Sequence, residues 1–152
     1  MGCGGGSGKT TQGETRTGAP PSGTAFVALA DTICANHRSR REDLESQARE
    51  LGPIASRGQA ARIALLLRKE AANRRSEVRE LEALPTASAD EAMAASVIPR
   101  IRAEAKVIDD WASAYAELDR RRIRRLQFQL AAITASTAGR ARKHGFDVCG
   151  QS

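Results

Sequence analysis

The stretch WASAYAELDRRRIRRL, residues 111–126, decides how many helices this chain has. Apolar residues keep helical spacing before it, through Val97, Ile101, Ile108, Trp111, Tyr115 and Leu118, and after it, through Ile123, Leu126, Leu130 and Ile133. Nothing in its local chemistry stops a helix, so periodicity alone allows one rod from residue 88 to residue 144, about 84 Å long at 1.5 Å per residue. Such a rod would run far past its partners and leave the second apolar set in water, which a soluble monomer does not tolerate. A turn is therefore expected at 118–121, with Asp119 as N-cap of a fourth helix from about 120 to 144. Gly145 then ends that helix, and Phe146 makes the apolar contact that accompanies a glycine C-cap.

Working backwards, Gly52-Pro53 and Leu84-Pro85 are the two other breaks in the helical pattern. They bound a first helix at about 24–51, with Phe26, Ala30, Ile33, His37, Leu44, Ala48 and Leu51 on one stripe. A second helix starts at Pro53 or at the capping box formed by Ser56 and Gln59, and runs to about 83 along Ala60, Ala64, Leu67, Ala71, Arg74, Val78 and Leu81. A third opens on another such box, Ser88 and Glu91, and Pro99 is expected to kink it or to split off a short first piece. Five aromatic residues against 28 alanines leave little material for a sheet core. The expectation is all-α: an up-down-up-down four-helix bundle over 24–152, preceded by a disordered Gly/Thr/Pro-rich tether over 1–23. No apolar run approaches the roughly 20 residues that span a bilayer.

Chain order bears on the cysteines. In an up-down-up-down bundle the fourth helix ends where the first begins, so a tail leaving Gly145 can bring Cys149 back to Cys34. A disulfide is expected there, tying the tail to helix 1, and one long third rod would have put Cys149 at the far end. Persistent disulfides belong to oxidising compartments. The alternative is a buried Cys34 thiol and a loose Cys149 in cytosol.

Cys3 is of another kind. Its surroundings, Gly2-Cys3 followed by a Gly/Ser-rich run, resemble the processing junction of bacterial lipoproteins, in which the cysteine is lipidated. The charged and apolar segments of an export signal do not precede it in the sequence as written, and the true start is expected upstream or to have been replaced by Met1. The likeness extends to the first-helix cysteine, the proline-punctuated helices and the closing Gly145 to Gly150 segment. Taken whole, the chain resembles small, mostly uncharacterised helical lipoproteins and secreted proteins of high-GC Gram-positive bacteria. That resemblance implies an address at the extracytoplasmic face of the cell membrane or outside the cell, and supports the Cys34–Cys149 bond. It carries no catalytic residues with it.

Charge locates the candidate contact surface. Residues 1–118 hold 16 basic and 16 acidic groups, so the whole net charge of +6 falls in the last 34 residues. Arg120, Arg121, Arg122, Arg124 and Arg125 cluster at the start of helix 4 and are the expected contact for an anionic envelope component. The expected role is therefore non-enzymatic, structural or interactive, with an unknown envelope partner and a membrane link through the lipid alone. The rival is a cytosolic basic protein whose arginines meet nucleic acid phosphates non-specifically, although it lacks aromatic stacking positions. A third reading, a small-ligand or metal carrier, rests on the polar seam residues His37, Arg74 and Glu104, of which His37 and Glu104 are expected at similar height.

Other motifs fail. Gly8-Lys9-Thr10 imitates the end of a P-loop, yet residue 3 is cysteine where glycine is required and no strand precedes it. Gly6 stands where a myristoylation signal wants serine or threonine. No serine sits in a nucleophile elbow, and neither His37 nor His144 has a matched acid. No cofactor or metal site is expected.

Overall fold

The computed structural model describes residues 23–149, and these form four helices: α1 (Thr24–Glu50), α2 (Arg57–Glu82), α3 (Ser88–Glu117) and α4 (Arg120–Lys143). The readings of residues 1–22 as a tether and of Cys3 as a lipid attachment point lie outside the described residues. The principal packing runs in chain order, α1 on α2, α2 on α3 and α3 on α4, as an up-down-up-down bundle requires.

The turn at 118–119 is built without glycine. Leu118 adopts the left-handed conformation at φ 57°, which costs a non-glycine residue roughly 1 to 2 kcal/mol. Two bonds hold it: the Asp119 amide donates to the Ala114 carbonyl at 3.0 Å, and Asp119 Oδ1 accepts the Arg122 amide at 2.9 Å. Asp119 is thus the N-cap that starts α4. At the start of α2, Ser56 Oγ accepts the Gln59 amide at 3.2 Å, while the Gln59 side chain accepts from the Ala55 amide at 2.9 Å.

The start of α3 differs from expectation. Its N-cap is Ala87, so Ser88 lies inside the helix and no capping box forms; instead Asp90 is buried and accepts the Gly23 amide at 2.9 Å, fastening the start of α1. The long-range bond takes the place of the local cap. Pro99 sits within a continuous helix of 30 residues and does not split it.

One end of the bundle is closed by the tail. Gly145, at φ 81°, ends α4 with the Phe146 amide on the Ala141 carbonyl and its own amide on the Arg142 carbonyl, each 3.1 Å. The Phe146 ring meets Phe26 edge-on, with centroids 6.5 Å apart. The Asp31 carboxylate of α1 then accepts three successive tail amides, from Asp147, Val148 and Cys149, at 2.8 to 3.0 Å. Arg38 donates to the Val148 carbonyl at 3.0 Å. Cys149 and Cys34 are disulfide-bonded, their Cα atoms 5.1 Å apart. This apolar end includes Phe26, Ala30, Val78, Leu81, Val97 and Ile101.

The disulfide joins residues 115 apart in sequence, and closing so long a loop removes on the order of 4 to 5 kcal/mol of unfolded-chain entropy. Replacing Cys34 and Cys149 together by alanine is expected to lower the thermal midpoint by roughly 10 °C or more, measured by circular dichroism against the oxidised parent. An unchanged midpoint would show that Asp31 and Phe146 hold the tail without the covalent bond.

Candidate functional site

The opposite end of the bundle is where α2 and α4 both begin. Their first turns, with the α1–α2 connection and the end of α3, enclose a cleft of about 500 Å3 lined by Ile54, Ser56, Arg57, Tyr115, Arg120 and Arg124, among others. Three guanidinium groups line it and no carboxylate does. Two helix N-termini meet the C-terminal turn of α3 in this wall, so the helix poles partly offset one another and the three guanidinium groups set the sign of the field. An anion is the species such a cleft suits.

The five arginines singled out from the sequence divide three ways. Arg120 and Arg124 enter the cleft. Arg122 turns toward α3, with Nη1 3.1 Å from Glu117 and Nη2 3.9 Å from Asp110, and serves the helix junction. Arg121 and Arg125 face outward and, among the described residues, make no ion pair. Phe128, three, four and seven residues from Arg125, Arg124 and Arg121, shares their face and is 77% exposed. Sequence reasoning missed Arg57. Its signal was the Ser56 cap, which makes Arg57 the first residue of the helix that runs parallel to α4.

Midway along the bundle lies a layer of buried charge. Arg74 directs Nη1 to Glu77 and Nη2 to Glu104, both at 3.0 Å, with Nε 3.5 Å from Glu70. Glu104 also accepts the Thr137 hydroxyl of α4 at 2.7 Å. Arg41 of α1 is buried beside this group. Burial alone would lower the Arg74 pKa, but Glu77, Glu104 and Glu70 together hold it above its ordinary value. Burial lowers that of Arg41, as does Arg74, against the pull of the same carboxylates. Burial pushes the Glu70 carboxyl above the usual range despite Arg74 and Arg41.

His37 and Glu104 do not pair. His37 belongs to a separate cluster, with Nδ1 2.7 Å from Asn73 Oδ1 and Nε2 3.0 Å from Glu80, while Asn73 donates to the His37 carbonyl at 2.9 Å. Glu104 is drawn instead to Arg74, the permanent cation of α2. Burial raises the Glu80 carboxyl, but the hydrogen bond and attraction from His37, with the Ser76 hydroxyl and Arg40, together hold it below its usual range.

Next to the charged layer is a second cavity, of about 330 Å3, with residues of all four helices in its wall. Leu44, Ile63, Leu67, Ile108 and Leu130 make it apolar, and Arg41, Glu70 and Arg74 give it one polar side. Trp111 and Tyr115 complete the wall, their rings 5.8 Å apart; Tyr115 also lines the arginine cleft and so separates the two spaces. Its phenol pKa is raised by burial. Glu70, Glu77 and Arg41 were missed from sequence, although Glu70 and Glu77 flank Arg74 at the spacing of helical ion pairs and Arg41 follows His37 by one turn.

Among the described residues no group of three or more His, Cys, Asp or Glu side chains is arranged to hold a metal ion. No described helix is long and apolar enough to cross a membrane. Compared with protein-family models, curated proteins and solved structures, the chain matches none of them.

Removing the Arg74 side chain leaves Glu77 and Glu104 buried without their partner, so Arg74→Ala is expected to cost about 3 to 5 kcal/mol in denaturant unfolding. Glu70→Gln is expected to act in the other direction. A carboxyl whose folded pKa is raised penalises folding fully above that raised value and not below its ordinary value of 4.5. The variant should therefore melt above the parent at pH 8, and the two should converge as pH falls toward 4.

Proposed function

We propose that this protein is a non-enzymatic interaction module of an oxidising, extracytoplasmic compartment, a stapled helical bundle that docks on an anionic membrane surface through the arginines at the start of α2 and α4. The observation that carries this reading is the cleft, where Arg57, Arg120 and Arg124 converge with no carboxylate in the wall. Phosphate-type headgroups match such a cleft in charge and in hydrogen-bonding capacity. The exposed Phe128 between Arg121, Arg124 and Arg125 fits a lipid surface, because a ring set among cations can enter the headgroup boundary while the cations stay at the phosphates. The Cys34–Cys149 bond supports an oxidising address, and the Gly2-Cys3 junction supplies the proposed lipid anchor.

Each arginine near an anionic surface contributes about 1 kcal/mol. In sedimentation with phosphatidylglycerol vesicles, Arg57→Gln, Arg120→Gln and Arg124→Gln combined are expected to weaken binding by roughly a hundredfold, with no binding of either protein to purely zwitterionic vesicles. Undiminished sedimentation of the triple variant overturns the reading. Retention on heparin without vesicle binding points to a soluble polyanion instead.

A further inference from the structure

The geometry of the 330 Å3 cavity points to a second site, distinct from the arginine cleft: it binds a small apolar amine, whose ammonium group pairs with Glu70 while its hydrocarbon part fills the space between the helices. Glu70 carries the argument. The residue is only 8% exposed, it lines the cavity, and neither carboxylate oxygen has a well-formed hydrogen bond: Arg74 Nε is 3.5 Å away, and Asn73 is the weakest of the neighbours that lower its pKa. A buried carboxylate left so is costly, and such groups in folded proteins are ordinarily matched by donors. Arg74 does not meet the need: its terminal nitrogens are engaged by Glu77 and Glu104, and its Nε stands 3.5 Å from Glu70.

The charge around the cavity decides the sign of the ligand. Arg41 from α1 and Arg74 from α2 face three buried carboxylates, Glu70 and Glu77 from α2 and Glu104 from α3, so the layer holds one negative charge in excess. Glu45 of α1 adds another carboxylate to the lining, Tyr115 contributes a phenol, and α4 offers Thr134 and no charge. An anionic ligand would deepen the excess; a monovalent cation offsets the one negative charge of the buried layer, Glu45 being exposed to solvent. In its absence a proton is the competing partner, consistent with the raised pKa that burial imposes on Glu70. The rest of the wall fits the rest of the ligand. Leu44, Ile63, Leu67 and Leu130 suit an alkyl chain, and Trp111 and Tyr115 bring aromatic surface that attracts a cation. A volume of about 330 Å3 equals the liquid share of about eleven waters, which sets the ligand at on the order of six to ten non-hydrogen atoms.

Trp111 is the one tryptophan of the chain and lines this cavity, so its fluorescence reports the site directly. The probes are hexylamine, hexanol and hexanoate, titrated at pH 8 into the intact oxidised protein. Hexylamine is expected to change Trp111 emission saturably and to bind at least tenfold more tightly than hexanol, with hexanoate weakest. Glu70→Gln should remove the tenfold preference and leave hexanol binding as it was. Ala48→Phe, which fills the α1 side of the cavity and keeps Glu70, should abolish the response to hexylamine. Equal binding of hexylamine and hexanol, tighter binding of hexanoate, an unaltered preference in Glu70→Gln, or no saturable response each overturns the proposal.

Discussion

Arg74 crosses the middle of the bundle with its guanidinium held by Glu77 and Glu104 and with Glu70 close to its Nε, and the rest of the structure is arranged around that group. Each helix supplies a member of the layer: Arg41 from α1, Arg74 and its two flanking carboxylates from α2, Glu104 from α3 and Thr137 from α4. A buried ion network of this kind is a poor source of net stability, since desolvation offsets much of the Coulombic attraction. Its effect is on register. Sliding α3 by one turn, about 5.4 Å, would part Glu104 from Arg74 and leave that carboxylate buried without its cation, while Arg74 would keep only the carboxylates of its own helix.

The layer also divides the apolar core. On one side Phe26, Ala30, Val78, Leu81 and Ile101 pack with the disulfide and Phe146; on the other Val107, Ala114 and Leu126 join α3 to α4, with Trp111, Ile123, Leu130 and Ile133 against them. The second part is built chiefly from α3 and α4, and α1 is not among the helices that pack closely on α4. The apolar cavity lies in that region, and α1 and α4 share its wall with α2 and α3. Chain order gives each end two helix starts and two helix ends, so the ends differ through the side chains placed there. The starts of α2 and α4 gather arginines at one end, while at the other Asp31 accepts three tail amides and the disulfide seals the core.

Much of this was legible locally. The Asp119 cap, the Ser56 and Gln59 box, the Gly145 stop and the Cys34–Cys149 bond all rest on chemistry within a few residues or on topology. Ala87 in place of a Ser88 cap was not legible, because Asp90 is recruited by Gly23 from a distant part of the chain. Nor was the burial of Arg41, Glu70 and Glu77, since a charged residue on a helix stripe reads as a solvated edge until its partner on the next helix is known. The arginine cluster shows the same limit: sequence proximity grouped five residues, and the fold sends two into the cleft, one toward Asp110 and Glu117, and two outward, then adds Arg57 from another helix.

The sequence by itself determined the number of helices, most of their ends and their antiparallel order: capping residues and glycine stops act over one or two turns of backbone, and the cost of leaving a second apolar stripe in water requires the turn at 118–119. It also determined which cysteines can meet, since topology brings the tail back to α1. Only the tertiary structure decided which charges are buried, which arginines share a cleft and where the bundle leaves a space. Those properties depend on the rotation and height of each helix against its neighbours, set by the summed packing of many side chains and by ion pairs that span from one helix to the next.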